Sequence, residues 1–125
     1  MQNDVPPDGV GTLGRRKRRP LFQAERDIQA EILVAVTSLP GAFFVRQNTG
    51  AAKSAKGKLI RFGRPGQPDI VGCYHGRYVA IEVKTKSGRQ SPEQRRYQEI
   101  IETVGGVYIL ARSKDEAVEK LLALS

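Results

Sequence analysis

The chain has 125 residues, which leaves room for one domain with one modest hydrophobic core and argues against a second enzymatic domain. It has one cysteine and one histidine, so it excludes an internal disulfide and a Cys/His zinc site of the usual four-ligand kind. The net charge of +8 points to a polyanionic partner, first nucleic acid and second an anionic membrane surface.

The chain carries no sequence signal for a membrane or for secretion. No apolar run approaches the roughly 18 residues that cross a bilayer, and residues 1–20 lack the apolar segment of a signal peptide. We therefore expect a cytoplasmic protein with no membrane partner.

Residues 1–20 are predicted to form a flexible basic N-terminal arm, and residues 21–125 the folded domain. The arm contains prolines, glycines and the run RRKRR, a composition that buries too little apolar area to offset its ordering entropy. It is interpreted either as a solvated tail or as a tether that adds phosphate contacts.

The first half of the domain is predicted to contain a helix, a strand and a flexible loop. Apolar residues at Ile28, Ile32 and Val36 follow one helical face over residues 21–39, and residues 41–48 read as a strand. Residues 49–58 have no apolar anchor, which predicts a flexible loop. Basic residues cluster here, so the predicted nucleic-acid-binding side chains are Arg46, Asn48, Lys53, Lys56, Lys58 and Arg61. A solvated strand face explains Arg46 and Asn48 equally well.

Residues 70–74 and 77–85 are predicted to form a hairpin around His75-Gly76, because glycine supplies the positive φ of such turns. Pairing Tyr74 with Arg77 places Asp69 opposite Glu82, with Cβ atoms about 5 Å apart. A bulge would break this register.

The last third is predicted to be a helix, a strand and a helix. Ser91-Pro92-Glu93-Gln94 has the capping-box pattern, residues 107–111 form a short buried strand, and Ser113 with Glu116 caps the final helix. The predicted order is α-β-β-β-α-β-α, an α/β fold.

Asp69, Glu82 and Lys84 form the strongest candidate constellation. Glu82 and Lys84 point to the same face because side chains alternate along a strand, and Asp69 lies opposite. Two carboxylates suit a hard divalent cation such as Mg²⁺ or Mn²⁺, and the ammonium can contact phosphate or water. Alone, Glu-x-Lys is common on solvated strand faces.

These motifs resemble those of a known nuclease superfamily. Pro68-Asp69, Glu82-Val83-Lys84 after a short hairpin, and Gln94 on the next helix resemble the PD-(D/E)xK nucleases. The segments ERDIQ, GQPDIVG, IEVKTKSG, SPEQ and GGVYILA more narrowly resemble the virus-type replication-repair nuclease (VRR-NUC) domain. The resemblance implies a restriction-endonuclease-like αβββαβ core with a mixed sheet flanked by helices. It also implies a metal-dependent endonuclease, acting as a homodimer on branched DNA such as four-way junctions, in a bacterial or phage-infected cell.

The resemblance assigns a role to each matching residue. Asp69, Glu82 and the backbone carbonyl of Val83 would be metal ligands, and Lys84 would be the catalytic lysine.

Two further residues come from helices. Glu25 in ERDIQ would match the family's helix glutamate, which supports the metal directly or through water, with Glu31 as the competing choice. Gln94 would match a helix glutamine near the site, although it is explained equally well as a capping residue.

Two other readings remain open. One is a non-catalytic nucleic-acid-binding module, against which the intact Asp69, Glu82 and Lys84 argue, since carboxylates repel phosphate unless a metal intervenes. The other is a nuclease subunit that needs a partner chain for targeting.

Overall fold

A mixed four-stranded sheet with helices on both faces organises the protein. The computed structural model describes residues 21–47, 50–53, 55–62 and 64–124. Their elements are α1 (Leu21–Thr37), β1 (Ala42–Arg46), β2 (Gly50–Lys53), β3 (Leu59–Phe62), β4 (Ile70–Tyr74), β5 (Arg77–Val83), α2 (Pro92–Thr103), β6 (Val107–Ala111) and α3 (Lys114–Leu122). The main sheet has the order β1-β4-β5-β6. The predicted α/β class and mixed sheet are confirmed.

Strand β5 lies in the interior of the sheet. It pairs antiparallel with β4 and parallel with β6, and β4 pairs antiparallel with β1. Residues Val79 to Val83 are all buried because helices cover both faces of this strand. A charged residue in this segment is therefore held away from solvent.

The two faces of β5 contribute to two separate apolar clusters. Val79, Ile81 and Val83 pack in the larger cluster with Ile32 of α1 and Leu121 of α3. Ala80 packs in the smaller cluster with Ile101 of α2 and Tyr108 of β6. Since side chains alternate along a strand, Glu82 shares the α2 face with Ala80.

The predicted flexible loop at residues 49–58 is wrong in part. Gly50–Lys53 forms strand β2, which pairs antiparallel with Leu59–Phe62 of β3 in a separate two-stranded sheet. The prediction considered the small residues of β2 alone, whereas the apolar residues of β3 supply its pairing partner. Gly57, with φ +80°, lies in the connecting turn.

The hairpin and the helix caps are as predicted. Tyr74 pairs with Arg77, and His75 and Gly76 have φ values of 48° and 83°, the double positive φ of a type I′ turn. Ser91 and Gln94 form a complete capping box at α2, and Ser113 caps α3.

Two further predictions concern the N-terminal arm and the membrane. The predicted arm at residues 1–20 lies outside the described residues. Among the helices that are described, none combines the length and the apolar character needed to span a membrane.

Candidate active site

The β4–β5 hairpin brings Asp69 against the end of β5. Its register pairs Ile70 with Ile81, so Asp69, one residue earlier, falls opposite Glu82 as predicted. The Asp69 Oδ2 atom accepts a hydrogen bond of 2.8 Å from the backbone N–H of Val83. This bond fixes the carboxylate of Asp69 beside the strand that carries Glu82 and Lys84.

Glu82 is the buried charged residue at the centre of the site. Its exposed fraction is 2%, and its Oε2 atom accepts a hydrogen bond of 2.8 Å from Gln94 Nε2. Lys84 Nζ lies 3.7 Å from the same oxygen. The other carboxyl oxygen, Oε1, is buried without a hydrogen-bond partner. The site therefore holds one oxygen atom that is available as a metal ligand.

The two carboxyl groups share a strongly perturbed environment. Burial, the largest cause, and the charge of Asp69 raise the pKa of Glu82 to about 9, against the opposing effect of Lys84. Burial also raises the pKa of Asp69, while the hydrogen bond from Val83 lowers it. Because adjacent like charges disfavour two ionised carboxylates, the charge of Asp69 favours the protonated form of Glu82.

Helix α1 brings Glu25, rather than Glu31, to this group. Burial raises the pKa of Glu25, the charge of Asp69 raises it further, and Lys84 lowers it, so Glu25 lies within electrostatic reach of both. Glu31 is exposed farther along the same helix.

Gln94 combines the two roles that the sequence left open. Its Oε1 accepts a hydrogen bond of 2.8 Å from the backbone N–H of Ser91, which closes the capping box. Its Nε2 donates to Glu82 at the same time. The cap therefore orients the amide whose free end contacts the buried carboxyl.

The donor set fits a hard divalent cation. In the part of the chain that the structure describes, no three His, Cys, Asp or Glu side chains form a ready-made metal cluster. Two adjacent carboxyl groups are nevertheless present, and the buried Oε1 of Glu82 lacks a partner that a cation would supply. All of these donors are oxygens, which suit Mg²⁺ and Mn²⁺.

The predicted nucleic-acid-binding residues fall into three groups. Arg46 is exposed at the end of β1 and pairs in register with Ile70, next to Asp69. Lys56 and Lys58 are exposed in the turn between β2 and β3. Asn48 and the side chains of Lys53 and Arg61 lie outside the described residues.

Two neighbours of the site were missed by the sequence analysis. Tyr108 lies on β6, and burial raises its pKa, with the charge of Glu82 as the next cause. Arg112 Nη1 donates hydrogen bonds of 2.7 Å to the carbonyls of Thr85 and Gly88, which ties down the loop after Lys84. Both depend on the parallel pairing of β5 with β6, for which no local sequence signal exists.

Comparisons with known proteins bear on the fold. A scan against protein-family models found no match, and a search of the curated proteins found no similar sequence. A search of the solved structures matched one described as a VRR_NUC domain, with a TM-score of 0.59 and 18% sequence identity. The match covers 82% of this chain and 98% of that chain. The expected resemblance is thus confirmed at the level of structure, and the chain has the fold of a VRR_NUC domain.

Proposed function

We propose that this protein is a metal-dependent endonuclease that hydrolyses phosphodiester bonds in structured DNA. The observation that carries the proposal is the buried Glu82, held beside Asp69 and Lys84 with one oxygen unsatisfied. Although the protein has a net charge of +8, a pair of carboxylates repels phosphate locally. A cation between the carboxylates and the phosphate removes this repulsion. The fold shared with a VRR_NUC domain supports the same activity.

Four groups would hold the ion. They are the carboxylates of Asp69 and Glu82, the backbone carbonyl of Val83 and, directly or through water, Glu25. A bound Mg²⁺ or Mn²⁺ would lower the pKa of a water molecule and offset charge on the phosphate.

The other residues position the reacting groups. Lys84, 12% exposed and 3.7 Å from Glu82, presents three N–H donors to a phosphate oxygen or to the attacking water. Gln94 holds Glu82 Oε2, which leaves Oε1 for the ion. Asp69 stays in place through the N–H of Val83. Together these contacts keep the site assembled before DNA arrives.

Exposed basic residues would bind the DNA backbone. Arg46 is next to the site in the sheet register, and Lys56 and Lys58 extend the basic surface. The basic segment at residues 1–20 would add phosphate contacts. These contacts are independent of sequence, which suits a nuclease that recognises DNA shape.

The finer parts of the proposal rest on the motif resemblance. It implies branched DNA, such as a four-way junction, and a homodimer in the cytoplasm of a bacterial or phage-infected cell. Two symmetric sites suit a two-fold junction. Exposed apolar side chains, including Val34 (68%) and Leu122 (60%), offer area for self-association. Sedimentation of the purified chain tests the dimer separately.

Cleavage of labelled DNA tests the proposed activity. A four-way junction, a linear duplex and a single strand are incubated with Mg²⁺, Mn²⁺ or EDTA and with wild type or Asp69→Asn. We expect metal-dependent cutting of the junction by the wild type and at least a hundredfold loss in the variant. Asp115→Asn, an exposed aspartate in the first turn of α3, is the matched control and should cut normally.

The result also separates the alternatives. Tight junction binding without cutting under any metal would support a non-catalytic binding module or a subunit that needs a partner. Equal cutting by wild type and Asp69→Asn would disprove the metal assignment.

A further inference from the structure

A cavity lies outside the candidate active site. Its volume is about 430 Å³, within the range of about 300–1,000 Å³ that is typical of small-molecule sites. It lies between β5, α2 and the turn after β3, and its walls include Arg64, Tyr78, Glu93, Arg96, Tyr97 and Ile100. Neither the two site carboxylates nor Lys84 lines it, so it is a separate feature of the surface.

The cavity and the active site share one face of the sheet. Tyr78 and Glu82 are four residues apart on β5, and side chains at even spacing point to the same face. At about 3.3 Å per residue the two positions are about 13 Å apart. Helix α2 spans both, because Gln94 contacts Glu82 while Tyr97, one turn later, lines the cavity. A DNA strand at the carboxylates would have its next nucleotides near the cavity.

The apolar walls suit a flat aromatic ligand. Tyr78 is 44% exposed, Ile100 is 55% exposed, and Tyr97 is half-buried against Ala80 and Ile101. Exposed aromatic and aliphatic area in a concave site is what an unstacked nucleobase can cover.

The polar side chains suit the rest of a nucleotide. Arg64 and Arg96 are exposed, and guanidinium groups pair well with phosphate. The carboxylate of Glu93 only accepts hydrogen bonds, so it repels phosphate from its side of the cavity. It can accept a hydrogen bond from the amino group of a base. The combination of stacking surface, two cations and one acceptor matches a nucleotide better than it matches a purely apolar ligand.

We propose that this cavity binds one unpaired nucleotide of the DNA, with its base against Tyr78 and Tyr97 and its phosphates at Arg64 and Arg96. The proposal rests on the proposed function for the identity of the nucleic acid, but it requires binding and not cleavage. Such a cavity would make the protein prefer DNA that contains unpaired nucleotides.

A pair of matched duplexes tests the base contact. One duplex carries a single unpaired nucleotide, and the other is abasic at that position. Binding to the full chain is measured with Ca²⁺ as the only divalent cation. We expect the wild type to bind the intact duplex roughly tenfold more tightly than the abasic one, and Tyr78→Ala to remove that difference. Phe43→Ala, which removes an exposed ring that does not line the cavity, should keep it.

A second pair of variants tests the phosphate contact. Arg95 and Arg96 are adjacent and exposed on α2, but only Arg96 lines the cavity. Arg96→Gln should weaken binding of the intact duplex several-fold more than Arg95→Gln, although both remove one charge.

A fluorescent base analogue at the unpaired position should be quenched by wild type and not by Tyr78→Ala.

The outcomes distinguish this proposal from the proposed function. Equal binding of both duplexes, equal effects of the two arginine variants, or binding of neither duplex would overturn the proposal even if the wild type cuts junctions. Base-dependent binding in Ca²⁺, together with no cutting of any DNA in Mg²⁺ or Mn²⁺, would keep this proposal and overturn the nuclease. A change of oligomeric mass in Tyr78→Ala with no change in base dependence would make the cavity a protein interface and overturn it.

Discussion

Gln94 links the start of helix α2 to the buried carboxyl of Glu82. One end of its side chain accepts from the N–H of Ser91, and the other donates to Glu82 Oε2, each over 2.8 Å. Since the capping box fixes the amide, the position of Glu82 depends on a helix cap formed 12 residues away along the chain.

Gln94→Ala is expected to impair cleavage more than it impairs stability. The variant loses the bond to Ser91, which costs about 1 kcal/mol of unfolding free energy, and it also frees Glu82 Oε2. Cleavage rates measured well below the unfolding temperature should therefore fall at least tenfold.

Ser91→Ala is the control for that prediction. It removes the hydroxyl that accepts from the Gln94 backbone and costs about 1 kcal/mol, but it leaves the amide at Glu82. Similar urea unfolding curves with a much slower Gln94→Ala enzyme would support a positioning role. Equal losses of activity in Gln94→Ala and Ser91→Ala would show that Gln94 acts only as a capping residue.

Divalent cations are expected to stabilise the folded protein. An ion that fills the unsatisfied side of Glu82 binds the native state only, and at 100 times its dissociation constant it adds about 2.7 kcal/mol. Thermal unfolding with and without Mn²⁺ should show a rise of several degrees for wild type and Asp115→Asn, and little or none for Asp69→Asn. A rise of equal size in all three proteins would place the ion elsewhere.

When no metal is present, Asp69→Asn is expected not to reduce the stability of the fold. Burial raises the pKa of both carboxyls, and the charge of Asp69 raises that of Glu82 further, so Asp69 destabilises the metal-free fold. An asparagine oxygen can still accept from the Val83 N–H. The variant should be at least as stable as wild type when EDTA is present.

Local signals explain why the candidate site was predictable from the sequence. The turn at His75-Gly76 sets the hairpin register, and that register alone places Asp69 opposite Glu82. The β2–β3 hairpin was missed because Gly50, Ala51 and Ala52 have low strand propensity without their partner strand. The approach of Tyr108 was missed because parallel pairing of β5 with β6 joins distant segments. Contacts fixed within a hairpin or one helical turn can be predicted, whereas those set by packing of distant segments cannot.

The carboxylate of Glu116 is expected to make stability fall in acid. Its hydrogen bond from the Arg112 N–H, followed by its contact with Lys120, lowers the pKa of Glu116 below 4.5 in the folded state. A lowered folded pKa contributes stability above the unfolded value of 4.5, and this contribution is lost as pH falls through the folded pKa. The unfolding free energy of wild type should exceed that of Glu116→Gln by about 1 kcal/mol at pH 7, and this gap should shrink as the pH is lowered to about 3.

Urea unfolding at the two pH values measures this gap. Glu119→Gln, an exposed glutamate on the same helix, is the matched control and should show no gap that closes in acid. A Glu116→Gln gap of equal size at both pH values would contradict the assignment.

Gly66→Ala is expected to disturb both the fold and the candidate site. Gly66 has φ +82°, and an added Cβ would overlap the backbone of Glu93 and Gln94 in the first turn of α2. Relieving that overlap moves the turn that leads into Asp69 away from the helix that holds Gln94.

Gly57→Ala is the control, because Gly57 has φ +80° and open space around its Cβ position. Gly57→Ala should lose about 1–2 kcal/mol from the left-handed backbone alone and keep its activity. Gly66→Ala should lose more unfolding free energy in urea and cut DNA at least tenfold more slowly; equal effects of the two substitutions would show that α2 does not constrain the turn.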